Sequence, residues 1–178
     1  MIKVSIVVFV STLLIHIVFS ADKPCGQHDF KITTMRLCKG ATNNGLQINN
    51  LTFVVTDDCR VVPRGCYTVK KKLPDIKVNY HVSKPPLFNK NGTEDMCKSM
   101  ADPKFQKSVA AYKNQVDAKC PIEAGQYCIT KGSTVIDKLN PSLLNMAVGT
   151  IKARIEMESV KAKAKSCVEA EAVISKKG

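Results

Sequence analysis

The feature that most constrains this chain is its set of eight cysteines, all downstream of an apolar leader. Residues 1–20 read "MIKVSIVVFVSTLLIHIVFS": one Lys3, a long apolar run, then Val18 and Ser20 where a signal peptidase requires small residues. The run from Val4 to Phe19 falls short of the roughly 20 residues of a membrane span, so it is expected to be a signal peptide cleaved after Ser20. No later segment is apolar enough to span a bilayer. Export carries Cys25, Cys38, Cys59, Cys66, Cys97, Cys120, Cys128 and Cys167 into an oxidising compartment. There an even count means disulfides before metal ligands. No C-x-x-C pair occurs and only His28 and His81 survive processing, so no metal or cofactor is expected.

Residues 21–178 are expected to form a single domain, long enough to bury a core. The absence of tryptophan and an aromatic share of 6% make that core mostly aliphatic. Asn50-Leu51-Thr52 and Asn91-Gly92-Thr93 are glycosylation sequons in expected surface turns; Asn140-Pro141-Ser142 is blocked by its proline. The expected residence is extracellular, with the endolysosomal lumen as the alternative.

Cleavage removes Lys3 and leaves +11 of the +12 net charge. Lysines cluster at Lys70 to Lys72 and Lys161 to Lys165. They are read either as solvated turns or as attraction to an anionic membrane surface. Nucleic acid is not an expected partner, because the chain is exported and poor in stacking aromatics.

"DIKVNYHVSK" places Ile76, Val78, Tyr80 and Val82 on one face and Lys77, Asn79, His81 and Ser83 on the other, the period of a half-buried strand. "GTIKARIEMESV" does the same with Ile151, Ala153, Ile155 and Met157. "LTFVVTDDC" (Leu51 to Cys59) and "HDFKITTMRLC" (His28 to Cys38) are further strands. "SCVEAEAVIS" has helical composition, but Val168, Ala170, Ala172 and Ile174 fall on one side and Glu169 and Glu171 on the other, and strand is the expectation. "CRVVPRGC" reads as a hairpin corner at Pro63 and Gly65, stapled by Cys59–Cys66. A helical insert is expected from about Glu94 to Val116, broken at Pro103, capped at Asp102, with Phe105, Val109, Tyr112 and Val116 as its apolar stripe. Pro141 opens a possible turn through Leu143, Leu144 and Met146. The fold class is all-β: a disulfide-stapled immunoglobulin-like β-sandwich or β-cup with a short helical insert.

No enzyme is expected. His81 points outward, His28 lies near the mature terminus, and neither has a nucleophile setting. The acidic pairs Asp57-Asp58 and Glu94-Asp95 look like turn residues.

Late in the chain stand Cys97, then "KCPIEAGQY", then "LNPSLLNMAVGTIKARIEME" and "KSCVEAEAVI". This Cys-Pro-x-x-x-Gly-x-Tyr segment, strand pair and final cysteine resemble the ganglioside-activator branch of the ML (lipid-recognition) superfamily. The eight cysteines and the step from Cys59 to Cys66 resemble it too. Cys128 directly after Tyr127, and the early Cys25, depart from that pattern. The resemblance implies Cys38–Cys167, Cys59–Cys66 and Cys97–Cys120, leaving Cys25–Cys128; Cys25–Cys167 is the competitor. It also implies a secreted, non-catalytic protein that holds a lipid or other hydrophobic small molecule between two sheets. The inward residues Ile151, Ala153, Ile155, Met157, Val168, Ala170, Ala172, Ile174, Val78, Tyr80 and Tyr127 would line that cavity, or simply fill an ordinary core. The segment between Cys97 and Cys120 would be a gating flap or a plug. The alternative function is a protein-binding effector (chemosensory, venom or immune) with no lipid cavity.

Overall fold

The computed structural model describes residues 28–56, 60–108, 110, 119–135 and 147–176. Two antiparallel sheets face each other. The first has the order β1 (His28–Leu37), β10 (Ala164–Lys176), β9 (Gly149–Ser159), β5 (Lys77–Lys84) and β6 (Phe88–Asp95). Its register follows the alternation: Val168 lies opposite Ile155, Ala170 opposite Ala153, Val78 opposite Met157 and Val82 opposite Ala153. The segment with helical composition is strand β10. Pairing with β1 and β9 on both sides and burial of Val168, Ala170 and Ile174 outweigh a weak helix propensity.

In β1 the inward set changes parity from Phe30 and Ile32 to Met35 and Leu37. A register shift between Ile32 and Thr34 marks a bulge, and Thr33 Oγ1 donates to the Glu171 carbonyl at 3.3 Å. One extra residue flips every later side chain, so the bulge keeps both apolar pairs inward.

The second sheet is built on β4 (Arg60–Val69). Its Arg60 half pairs with β3 (Thr52–Val55) and β8 (Thr134–Val135), and its Val69 half with β2 (Leu46–Ile48) and β7 (Gly125–Ile129). The halves join at Gly65, whose φ is +113°. A Cβ there would stand 2.1 Å from the Asn50 carbonyl oxygen, where the chain turns from β2 into β3. Only glycine fits both the backbone angle and that approach.

Three expectations for this region are overturned. "CRVVPRGC" is not a hairpin corner, because residues 60–69 run through as one strand. Pro63 is tolerated because it falls between Val61, the last residue paired with β8, and Gly65, the first paired with β7. Cys66 is bonded to Cys128, its direct cross-strand partner, so neither Cys59–Cys66 nor Cys25–Cys128 forms. The competitor Cys25–Cys167 is excluded as well, since Cys167 is bonded to Cys38. Cys25 and Cys59 lie outside the described residues.

The insert begins later than expected, since Glu94 and Asp95 still belong to β6. Asp95 then caps α1 (Met96–Ala101) by accepting from the Lys98 amide at 3.2 Å. Asp102 Oδ1 accepts from the Lys104 amide at 2.7 Å at the start of α2 (Pro103–Ser108). Cys97 is bonded to Cys120. Met96 and Met100 are completely buried in the main core cluster. This first turn of the insert is therefore a plug. Val109, Tyr112, Val116 and the turn after Pro141 lie outside the described residues, as do Asp57 and Asp58.

Candidate functional site

The space between the sheets divides into two apolar clusters with different character. The larger contains Tyr67, Val69, Leu73, Ile76, Met96, Met100, Ile122 and Ile129, together with Val78, Ile155, Met157 and Val168 of the expected lining. Its Tyr67, Met96, Met100, Ile122, Ile129 and Ile155 are at most 1% exposed. Beside Leu46, Leu73, Ile76, Met157 and Ala164 the free space is about 10 Å³, no more than a single water needs. Tyr127 is half-buried here, its ring centroid 5.4 Å from that of Tyr67, and its hydroxyl donates to the Glu123 carbonyl at 2.7 Å. Burial, and secondarily Tyr127, push the Tyr67 phenol well above its ordinary pKa.

The second cluster lies at the opposite end of β9 and β10. It contains Val82, Ala147, Ile151, Ala153, Ala170 and Ile174, with Phe30, Tyr80 and Phe88 packed against it. Four of the expected lining residues thus share one wall, made of small and branched side chains. Around it the inward residues Phe30, Phe88 and Ala172 are only partly buried, while Ile32 and Met35, also partly buried, pack against the larger cluster. Tyr80 touches both clusters. Its ring also lies over Gly92 on β6, where a Cβ would meet the phenol oxygen at 2.3 Å. Phe88 escapes a reading of the sequence because "FNKNGTED" shows no apolar alternation. Phe30 is recoverable only once the bulge in β1 is known.

The outer face of the first sheet is polar. Arg36 and Arg154 approach Glu169 at 3.4 and 3.5 Å, Arg154 reaches Glu156 at 2.9 Å, and Lys152 reaches Glu171 at 3.5 Å. These pairs border an open depression of about 340 Å³ that also takes in His81 and Ser83. Exposed pairs of this kind contribute little to stability. His81 sits beside Asn89 with Nε2 against its Oδ1. Glu94 accepts from the Ser99 hydroxyl at 3.5 Å and Asp95 caps α1, so this acidic pair has structural duties.

The two lysine clusters meet at one pole. Lys71 Nζ donates to the Lys163 carbonyl at 3.4 Å and Lys70 Nζ to the Asn43 carbonyl at 3.3 Å. Val160 stands 68% exposed beside Lys161. This pole lies at the Ser159 end of β9, and the alanine-lined wall lies toward the Gly149 end. Six to eight residues of β9 lie between Ser159 and the wall residues Ala153 and Ile151, roughly 20–26 Å. The lysines therefore do not ring that wall.

Of the sequons, Asn91 lies exposed on strand β6 opposite His81, not in a turn. Asn50 is exposed at the bend between β2 and β3, and its Oδ1 accepts from the Cys66 amide at 2.9 Å. Among the described residues no cluster of three His, Cys, Asp or Glu side chains is arranged to hold a metal. No helix there is long and apolar enough to cross a membrane.

No family model matches the chain, and no curated protein matches it. Among solved structures it is similar to a Niemann-Pick type C2 protein from Japanese carpenter ant. The identity is 14% and the TM-score 0.33, over 86% of this chain and 96% of that one.

Proposed function

We propose that this chain is a secreted, non-catalytic carrier of a lipid or other hydrophobic small molecule. The ligand is held between the sheets against Val82, Ile151, Ala153, Ala170 and Ile174. The observation that carries this reading is the contrast between the two halves of the interior. One half is closed by large side chains around a plugging helix. The other is walled by alanines and ends in the aromatic side chains Phe30 and Phe88, which stay partly exposed. Ligand sites are concave and mostly apolar, and an apolar tail replaces the side chains that such a wall lacks. The leader at residues 1–20 and the resemblance to the ML superfamily support the same reading.

Native mass spectrometry of the secreted, glycan-trimmed protein, followed by organic extraction, tests it. A stoichiometric lipid adduct is expected. A clean ligand-free mass that stays unchanged after incubation with a mixed lipid library would overturn the carrier and favour a protein-binding effector.

A further inference from the structure

The turn from β9 to β10 puts an apolar side chain at the tip of the pole where the lysines meet. Val160 follows the last residue of β9 and is 68% exposed. The turn is held from several sides. Lys163, at φ +47°, donates its amide to the Val160 carbonyl at 3.2 Å. The Ala162 amide donates to the Ser159 hydroxyl at 3.3 Å, and that hydroxyl donates to Asp75. Asn44 Nδ2 donates to the Lys163 carbonyl at 3.3 Å, and its Oδ1 accepts from the Lys165 amide at 2.8 Å. A built turn therefore presents Val160 to solvent. A single exposed valine is ordinary; the charge around this one is not.

Lys161 and Lys163 belong to the turn itself, and Lys70 and Lys71 come up beside it from the end of β4. All four are exposed. Lys70 and Lys71 give their ammonium groups to the main-chain carbonyls of Asn43 and Lys163, which carry no charge to cancel theirs. The carboxylates of the pole are engaged elsewhere. Glu123 pairs with Lys72 at 2.8 Å and Glu158 with Lys165 at 3.0 Å. Asp75 accepts from the Ser159 hydroxyl and the Lys161 amide, and its charge offsets part of that of Lys161. The pole keeps a surplus of positive charge around an apolar tip.

We infer that this pole is a docking surface for an anionic lipid bilayer. Val160 enters the boundary between headgroups and acyl chains, and Lys70, Lys71, Lys161 and Lys163 lie against the charged headgroups. Lysine near an anionic leaflet gains from its surface potential, and its stem covers apolar ground while the ammonium stays in water. A bilayer has an apolar phase for the tip. A sulfated polysaccharide offers the same charge and nothing apolar for Val160 to enter. The wall residues Ala153 and Ile151 lie roughly 20–26 Å from Ser159 along β9, so the docked protein holds the alanine-lined wall away from the membrane. Docking needs no ligand in the interior, so this inference stands apart from the reading of the chain as a carrier.

Co-sedimentation with vesicles of phosphatidylcholine alone, and of phosphatidylcholine mixed with phosphatidylserine, tests it. Binding is expected only to the mixed vesicles and is expected to fall as salt rises. Lys161→Gln/Lys163→Gln is expected to weaken it about fivefold for each charge removed. Lys31→Gln/Lys90→Gln removes the same charge from β1 and β6 and is expected to leave binding within about twofold of wild type. Val160→Ser is expected to weaken vesicle binding about threefold or more and to leave heparin binding unchanged. Delipidated protein and protein loaded with a fluorescent fatty-acid probe are expected to bind vesicles alike. Equal binding to both vesicle types, a comparison that needs no variant, overturns the docking surface. So do equal losses from the two lysine pairs, wild-type binding by Val160→Ser, or heparin binding without vesicle binding. Each of these leaves the carrier untouched. Vesicle binding that the probe abolishes would put the wall against the membrane and overturn the orientation.

Discussion

Cys66 and Cys128 stand directly opposite each other on β4 and β7, with Cα atoms 4.1 Å apart and their sulfurs bonded. The bond is on the outer face, since Cys128 is exposed and the next opposed pair, Tyr67 and Tyr127, turns inward. It closes a loop with a sequence separation of 62. Peptide mapping without reduction is expected to return Cys66–Cys128, Cys38–Cys167 and Cys97–Cys120. In a fully oxidised chain it is also expected to return Cys25–Cys59, the one pairing left. The double variant Cys66→Ala/Cys128→Ala is expected to lose about 2–4 kcal/mol of stability. A Cys59–Cys66 peptide in the wild type would contradict the strand assignment of β4.

Gly65→Ala should be among the most damaging single changes in the second sheet. The new methyl meets the Asn50 carbonyl at 2.1 Å with backbone on both sides, and φ +113° is strained for any side chain. Strain and clash together are expected to cost more than about 2 kcal/mol. The readout is thermal unfolding of the secreted protein. Gly40→Ala is the control, since its φ is also positive, at +72°, but nothing lies within 4 Å of the new methyl. Equal losses would mean that the approach of Asn50 to β4 does not matter.

How legible the architecture is in the sequence depends on whether local and tertiary signals agree. In β9 they agree, because both neighbouring strands leave one face wet, and Ile151, Ala153, Ile155 and Met157 announce the other. In β4 they conflict. Pro63 and Gly65 are turn residues by local chemistry, and only the change of neighbours from β3 and β8 to β2 and β7 makes a kinked strand there the answer. In β1 the bulge hides the period from any count of alternation. Ile151, Ala153, Ala170 and Ile174 were legible as inward strand residues, but the division of the interior into a methionine-plugged cluster and an alanine-lined one was not. That division depends on where α1 inserts Met96 and Met100, which spacing along the chain does not encode.

Asp75 ties the turn between β9 and β10 to the approach of β5. Its Oδ1 accepts from the Ser159 hydroxyl at 2.7 Å and from the Lys161 amide at 3.3 Å. The Ser159 hydrogen bond leads the causes that hold its carboxyl below the ordinary value. A depressed folded pKa contributes stability that is present above the unfolded value, near 3.9, and is lost as pH falls through the lower folded value. Asp75→Asn is therefore expected to be less stable than wild type at neutral pH. The gap should close as pH drops below about 3. Denaturant titrations at neutral and strongly acidic pH measure this; a gap that stays constant would remove the charge from the account.

The contrast between the two halves of the interior can be tested with one side chain placed in each. Ala164 is 2% exposed in the filled cluster beside Leu46 and Leu73, and Ala170 is 6% exposed on the alanine-lined wall. Leucine at position 164 has nowhere to go, and overpacking is expected to cost about 1–3 kcal/mol with ligand affinity little changed. Leucine at position 170 extends into the space assigned to the ligand. Ala170→Leu is expected to keep ligand-free stability within about 1 kcal/mol of wild type while weakening lipid binding at least tenfold. Unfolding curves of delipidated protein and probe binding read the two effects separately. Comparable destabilisation by both substitutions, with no loss of binding from Ala170→Leu, would mean that the wall is ordinary core and that the ligand, if any, lies elsewhere.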